Sequence, residues 1–482
     1  MPSSFREPNP SFTLMWLLGL VNRWFLLKGA PVLRRVPIAR DLPLVRGHFR
    51  VRKVDLPLAD RARLREAVNR GTVAFIGPNH PEFGLDWMMD KEVSTFVAPK
   101  VASWASHQIV ATAPGFWLRN NLISHNGGAA AVEHSVMWAR RGHGVLLHPE
   151  GSVHWTADKI HPLFDGIAEM ACEAAARGGA AGDPRPVYIA PIVWKLRYLG
   201  DIRQRLHAEM NLIERHLGLE CDHHPNIAEH FRRLQERVLT KQMLKFGFDS
   251  ASVAGHDFFS RQKAFRQWLM DDLHRRYSIE EHDSLERTLT RFKRAISAER
   301  QSVQRDGSTG GRARQAALKL DIDRAEEASR LDGYCRDVYG TRQLSQEQIA
   351  ESLKRHRATL VADGLRNAIH NALPTPFGPR VAHLRVPEAI RIDPARASGS
   401  QEVRRAYVAS LIGLSRRRMQ EAVEAIGREI APEVESYSVP NPFFVPPHSA
   451  DNTAFSLAKS MNPRVASATS SRTPIGSPTF SP

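Results

Sequence analysis

The chain has 482 residues, 42% of them hydrophobic and 24% charged, a balance that suits a folded soluble or peripheral protein and excludes a disordered or fibrous one. Cys172, Cys221 and Cys335 lie far apart with no CxxC spacing, which excludes a disulfide framework and a cysteine zinc site and fits a reducing compartment. A formal charge of +16 suits an anionic partner, but no nucleic-acid-binding motif accompanies it, so lipid headgroups are expected and nucleic acid is not.

Residues 12–27, FTLMWLLGLVNRWFLL, read as an apolar helix interrupted by Asn22 and Arg23. Its apolar part is shorter than the roughly 20 residues a membrane span needs. Tryptophans at 16 and 24, the central arginine and Lys28 suit an amphipathic helix lying in the membrane interface. Little positive charge precedes it and no A-x-A site follows, which disfavours a signal peptide. Residues 1–44 are therefore expected to be an interface helix and linker, on a peripheral or monotopic protein at the cytoplasmic membrane face.

Residues 49–54 alternate as a short strand and 58–69 have helical spacing. TVAFI (72–76) is a compact apolar run closed by Gly77 and Pro78, as a buried strand should be. NHPEFGLD follows at once. A helix is expected over 86–95, a strand at 122–124, an alanine-rich helix over 128–141, and a strand at 145–147 that delivers HPEGS. A helix over 163–177 leads to the strand VYIAPIVW (187–194). Strands alternating with helices predict an α/β domain whose central, largely parallel sheet is flanked by helices, with ligands at the strands' carboxyl ends. Both motifs fall at such ends.

Residues 201–378 are charged and helical, with helices at 227–246 and 345–370 and a linker at GSTGG (307–311). A strand-like piece returns at 381–392, followed by an amphipathic helix over 401–426. Residues 431–482, rich in serine, proline and threonine, are expected to be mostly disordered.

His80 followed by carboxylates at Glu82 and Asp86 is the arrangement a general base needs, because the carboxylate fixes the imidazole tautomer and stabilises its developing charge. By itself the stretch also suits a plain helix start, where Pro81 and Glu82 are at home. Cys221, His223, His224 and His230 invite a metal, but no second cysteine pair or HExxH helix supports one, so no metal is expected. No G-x-S-x-G elbow, P-loop or dinucleotide fingerprint is present.

The pair NHPEFGLD and LHPEGS resembles the motifs of the glycerolipid acyltransferase family, typified by the bacterial lysophosphatidate (1-acylglycerol-3-phosphate) acyltransferases. That family carries NHxxxxD after a buried strand and FPEGTR further along; here Glu150 lies 70 residues after His80. GFWLR (115–119), IAPIV (189–193) and VAHLRVPEAIRID (381–393) resemble further pieces in family order. The likeness spans residues 45–200 and 379–430, which makes 201–378 a long helical insertion.

The resemblance implies acyl transfer from an acyl-CoA or acyl carrier protein thioester to a lysolipid hydroxyl, with no cofactor. An acceptor of 1-acylglycerol-3-phosphate would give phosphatidic acid. His80 would be the base and Asp86 would orient it. Asn79, Glu82, Arg119, Glu150, Gly151, Ser152 and His154 would form the substrate-binding set, with Asn79 or backbone N–H groups facing the oxyanion.

Two departures stand out. Five residues separate His80 from Asp86 where the family has four. On a helix one residue turns a side chain by about 100°, so either Gly84 absorbs the difference or Glu82 or Asp90 takes the carboxylate role. The family's arginine after the second motif is also missing from EGSVHW, leaving Arg119, Lys91, Lys100 or His154 to meet a phosphate. The alternatives are a different lysolipid or phosphate-free acceptor, or a catalytically silent lipid-binding member.

Overall fold

The computed structural model describes residues 5–29, 47–95, 97, 100–125, 128–280, 284–303, 309–361, 364, 367, 370 and 374–446. Helix α1 (Phe12–Val21) runs into a π-helical turn, Asn22–Leu27. There follow β1 (Val51–Asp55), α2 (Leu58–Ala67), β2 (Val73–Pro78), α3 (Leu85–Ser94), β3 (Ala102–Ala105), α4 (His107–Thr112), α5 (Pro114–Arg119), β4 (Leu122–Ser124), α6 (Gly128–Arg140), β5 (Val145–Leu146), α7 (Gly166–Ala180) and β6 (Val187–Tyr198). The 201–378 stretch then supplies α8 (Arg203–His216), α9 (Ile227–Phe246), α10 (Phe258–Tyr277), α11 (Leu285–Val303), α12 (Thr309–Gly333), α13 (Arg336–Tyr339), the short β7 (Gln343–Leu344) and α14 (Gln346–Leu360). The chain returns through β8 (Arg380–Arg385), β9 (Ile390–Arg391), α15 (Pro394–Ala397), the long α16 (Gln401–Glu435) and β10 (Val439–Pro440).

The main sheet has the order β1-β8-β6-β2-β5-β3-β4, with β9 beside β6. β6, β2, β5, β3 and β4 are mutually parallel, whereas β8 and β9 run antiparallel to β6 and β1 is parallel to β8. The expected largely parallel sheet flanked by helices is present. Period-two alternation divides its two cores. On β2, Val73 and Phe75 join α6, α7 and α16 on one face. Ala74 and Ile76 join α2 and α3 on the other. A strand buried on both faces must be apolar throughout, which is why TVAFI shows no alternation in sequence.

Several elements differ from expectation. β6 continues to Tyr198 because its second half pairs antiparallel with β8, from Val193 against Arg385 to Tyr198 against Arg380. β3 lies in VASWA, where serine and small residues hide a strand whose partners are β5 and β4. Residues 309–311 of GSTGG begin α12, and 307–308 lie outside the described residues. The helix expected over 345–370 is α14, opened by a capping box between Ser345 and Gln348 and ended at Leu360. Of the expected disordered tail, residues up to 440 complete α16 and form β10, which pairs with β7; residues from 447 onward lie outside the described residues.

The 201–378 stretch has its own core, built around Phe231, Phe265, Phe292 and Tyr339. It also belongs to the same compact unit as the sheet, residues 1–443. Tyr198, the last residue of β6, packs into that core, and its N–H donates to Glu347 of α14 at 2.9 Å.

The N-terminal helix is not amphipathic as expected. α1 is apolar on every side and has no buried residue, with Trp16 66% and Leu17 50% exposed. The polar residues that interrupt the run point inward to α3: Asn22 Nδ2 donates to the Met88 carbonyl at 2.8 Å, and Arg23 pairs with Glu92 at 3.2 Å. Among the described residues no helix is long and apolar enough to cross a membrane.

Candidate active site

β2 and β5 are parallel neighbours, with Ile76 opposite Leu146, so the residues just past their carboxyl ends emerge side by side. This places His80 next to His148. Their rings stack with centroids 4.1 Å apart and planes 17° from parallel.

α3 supplies a carboxylate to each ring. Gly84, at φ +76°, turns the chain into the helix and absorbs the residue that separates this motif from the shorter spacing. Asp86 thereby faces His80, and its Oδ2 pairs with His80 Nδ1. One helical turn on, Asp90 Oδ2 lies 3.1 Å from His148 Nε2. The other nitrogen, His148 Nδ1, lies 3.0 Å from the Asn79 carbonyl. The spacing of four between Asp86 and Asp90 thus produces two stacked histidine–carboxylate dyads.

The two dyads titrate in opposite senses. Burial pulls His80 well below the ordinary histidine value, and the charge on His148 pulls the same way. Burial also pushes Asp86 well above the usual carboxylate range, against the lowering pull of the His148 charge. For His148, burial opposes the charge, but Asp90 at hydrogen-bond distance overcomes it and raises the group to about 9. His80 keeps 18% of its side chain exposed, and its Nε2 has no hydrogen-bond partner among the described residues. In the neutral tautomer that carries its hydrogen on Nδ1, towards Asp86, Nε2 has a free lone pair and can accept a proton from a bound hydroxyl.

The remaining expected site residues serve mainly to fix this geometry. Glu150 is buried and accepts the His80 N–H at 2.7 Å and the His161 N–H at 3.0 Å, which ties the two motif loops together. Its burial raises the carboxyl to about 7, against the lowering effect of those two N–H donors. Gly151 has φ +77°, and a Cβ there would meet the Phe164 ring at 2.5 Å. Ser152 Oγ donates to Glu286 of α11 at 2.9 Å. His154 stacks on His161 at 3.6 Å, and burial together with neighbouring His80 lowers it to about 3.

Asn79 and Glu82 were expected to touch substrate, and their side chains are engaged elsewhere. The Asn79 amide makes a two-way pair with the backbone of Trp194, its Nδ2 donating at 3.0 Å and its Oδ1 accepting at 2.9 Å. Glu82 is buried between Arg380 and Lys354, each within 2.7 Å, and so is not the partner of His80. Of the four residues expected to meet a phosphate, His154 stacks on His161, and the other three lie as follows. Arg119 is exposed at the end of α5, before β4 rather than beyond its carboxyl end. Lys91 is buried against Asn120 Oδ1 at 3.0 Å, and Lys100 precedes β3, over the Phe12 ring.

The residues that sequence reasoning missed are His148 in a site role, Asp90 as its partner, and the basic residues that brace the motifs. α14 carries four consecutive buried basic residues, Lys354 to Arg357. Lys354 meets Glu82 of the first motif, and Arg355 donates to the carbonyls of His154 and Trp155 beyond the second, at 2.9 and 2.8 Å. A cleft of about 1190 Å³ lies between α6, α7 and α16, over Val132, Val136, Val408 and Ile412 but also over charged side chains such as Glu169, Arg177 and Arg404; it reaches Pro162 and Leu163 after the second motif, and none of the dyad residues lines it. Among the described residues one group has metal-ligand spacing, Asp55, His383 and Glu429, and the Arg385 guanidinium already pairs with both its carboxylates.

No protein-family model matches the chain, and no curated protein matches it.

Proposed function

We propose that the chain is an O-acyltransferase of the glycerolipid acyltransferase type, with that family's fold interrupted by a helical insertion, moving an acyl group from a thioester to a lysolipid hydroxyl. The observation that carries this reading is the His80–Asp86 dyad, held at the carboxyl edge of the parallel strands with His80 Nε2 open. Nε2 takes the proton of the acceptor hydroxyl as its oxygen attacks the thioester carbonyl. The tetrahedral intermediate then expels the thiolate of acyl-CoA or acyl carrier protein, and the His80 imidazolium returns the proton to it. The thioester is already activated, so no covalent enzyme intermediate is needed.

The acceptor is a lysophospholipid such as 1-acylglycerol-3-phosphate. A second acceptor class is favoured by one specific observation: Ser152, where a phosphate-binding arginine would follow, faces the acidic Glu286. That environment suits a hydroxyl lipid without a terminal phosphate. The exposed apolar surface of α1 supports attachment to a membrane surface, at the cytoplasmic face in our reading.

Purified protein incubated with acyl-CoA and a panel of lysolipids, with and without phosphate, tests the activity and ranks the acceptors. His80→Ala should abolish turnover, and Asp86→Asn should lower kcat by about 10²–10³ with KM little changed. Full activity in His80→Ala would sink the mechanism. Liposome binding without acylation of any acceptor would favour a catalytically silent member.

A further inference from the structure

We propose that His148 is a positioning residue: a buried imidazolium that stacks on His80 and, by its charge, keeps His80 unprotonated as a base into the acidic range. The proposal rests on the reading of His80 as the base. Its observations are independent of that reading.

The geometry is specific. Both nitrogens of the His148 ring meet oxygen acceptors, the Asn79 carbonyl at 3.0 Å and Asp90 Oδ2 at 3.1 Å. A carbonyl cannot donate, so Nδ1 carries a hydrogen. With Asp90 as a carboxylate, Nε2 carries one too, and the ring is a cation. Only 12% of the His148 side chain is exposed, so water screens this charge weakly. Because both nitrogens are occupied, His148 cannot exchange a proton with a substrate and acts only through His80.

The arrangement has two effects on His80. Face-to-face packing at 4.1 Å fixes the ring plane, with Asp86 fixing Nδ1, so that Nε2 holds one direction. The adjacent positive charge disfavours a second one on His80, which burial already resists. The charged and titratable groups around the pair are Asp86 and Asp90 from α3, Glu150 and His154 from the loop after β5, and Arg355 of α14 beyond His154. Within this set Asp90 neutralises the His148 cation, while Asp86 bonds to the neutral His80 ring. Negative charge developing on a substrate oxygen near Nε2 would also be favoured by the buried cation beneath it.

The test is histidine ring NMR on full-length protein with labelled imidazoles, followed across pH. The His80 resonance among the 21 histidines is identified by its loss in His80→Gln, and that of His148 by its ring-to-ring contact with His80. In the wild type, His148 is expected to keep both nitrogens protonated at pH 8, while His80 stays a single neutral tautomer well below the ordinary histidine midpoint. In His148→Phe, which keeps the stack and removes the charge, the His80 midpoint should rise by about one pH unit or more. A neutral His148 ring at pH 8, or a His80 midpoint unmoved in the variant, overturns the proposal. The first of these measurements needs no variant and stands even if His148→Phe fails to fold. The acid limb of kcat/KM for lysolipid acylation should shift with the His80 midpoint. Absence of turnover in the wild type would instead count against the acyl-transfer reading and leave the NMR result intact.

Discussion

At the scale of single residues, the centre is organised by how a shared burial acts on unlike groups. His80 and His148 lie one ring thickness apart, yet burial leaves the first neutral while Asp90 makes the second a cation. This has a consequence for stability. The folded-state value of His148, about 9, exceeds the unfolded histidine value near 6.5, so its contribution is fully present below the unfolded value. It is lost as pH rises through the folded one. The difference in unfolding free energy between wild type and His148→Phe should therefore shrink by about 3 kcal/mol, an order-of-magnitude figure, between pH 6 and pH 10. Urea denaturation across that range measures it, and a difference independent of pH would mean that His148 is not charged in the fold. The sequence made His80 legible because a strand, a histidine and a carboxylate follow one another within fifteen residues or so of chain. His148 reads in the sequence as one of several histidines around the second motif, each more often structural than catalytic. Its partner Asp90 is on another element, and no local pattern announces a pairing across 58 residues.

At the scale of elements, α3 and α14 do the positioning. α3 holds both aspartates because Gly84 can adopt φ +76°, a conformation that residues with a Cβ rarely adopt. This was partly readable: the extra residue and the glycine that absorbs it are adjacent in the chain. The role of Glu82 was not readable, since Arg380 lies 298 residues away and the fold alone brings them together. Glu82 is a brace between the first motif, β8 and α14. Burial and its two cations act in opposite directions on its carboxyl, and the cations win, lowering it. Burial likewise lowers Lys354 to about 8 in spite of Glu82. Glu82→Ala leaves two buried cations facing each other and should cost about 3–5 kcal/mol. Lys354→Met should cost less than half as much, because Arg380 continues to neutralise Glu82 with two hydrogen bonds, at 3.0 and 2.7 Å. Denaturant midpoints of the two variants decide this. Lost turnover with unchanged stability in Glu82→Ala would return Glu82 to the substrate-binding set.

At the scale of the whole molecule, the alternating sheet was legible because each buried strand is a short apolar run closed by glycine, proline or a motif. The relation of the 201–378 stretch to that sheet was not, since charge and helical spacing describe its surface and say nothing of what it touches. Its boundary at 201 falls just past the hydrogen bond from Tyr198 to Glu347, and its helix α14 braces both motifs. The composition pointed to lipid through charge, and the fold redirects that argument to shape. Arg23 and Lys28, the cations expected to meet headgroups, are within reach of Glu92 instead, at 3.2 and 4.0 Å. What the N-terminal helix offers a membrane is apolar area: Phe12, Trp16, Leu17 and Trp24 are exposed, and Ser11, its cap, bonds to the end of α5, the helix that exposes Phe116. If that surface enters the interface, affinity should follow buried area, at about 25 cal/mol for each Å². Replacing Trp16 or Leu17 by serine should then weaken binding to vesicles of mixed neutral and anionic lipid by roughly tenfold each. The loss should persist in high salt, where headgroup attraction is screened. Sedimentation of the variants with such vesicles at low and high ionic strength provides the measurement. Equal binding by wild type and the double variant would mean that α1 does not contact the bilayer, and that any attachment comes from the basic surface elsewhere on the chain.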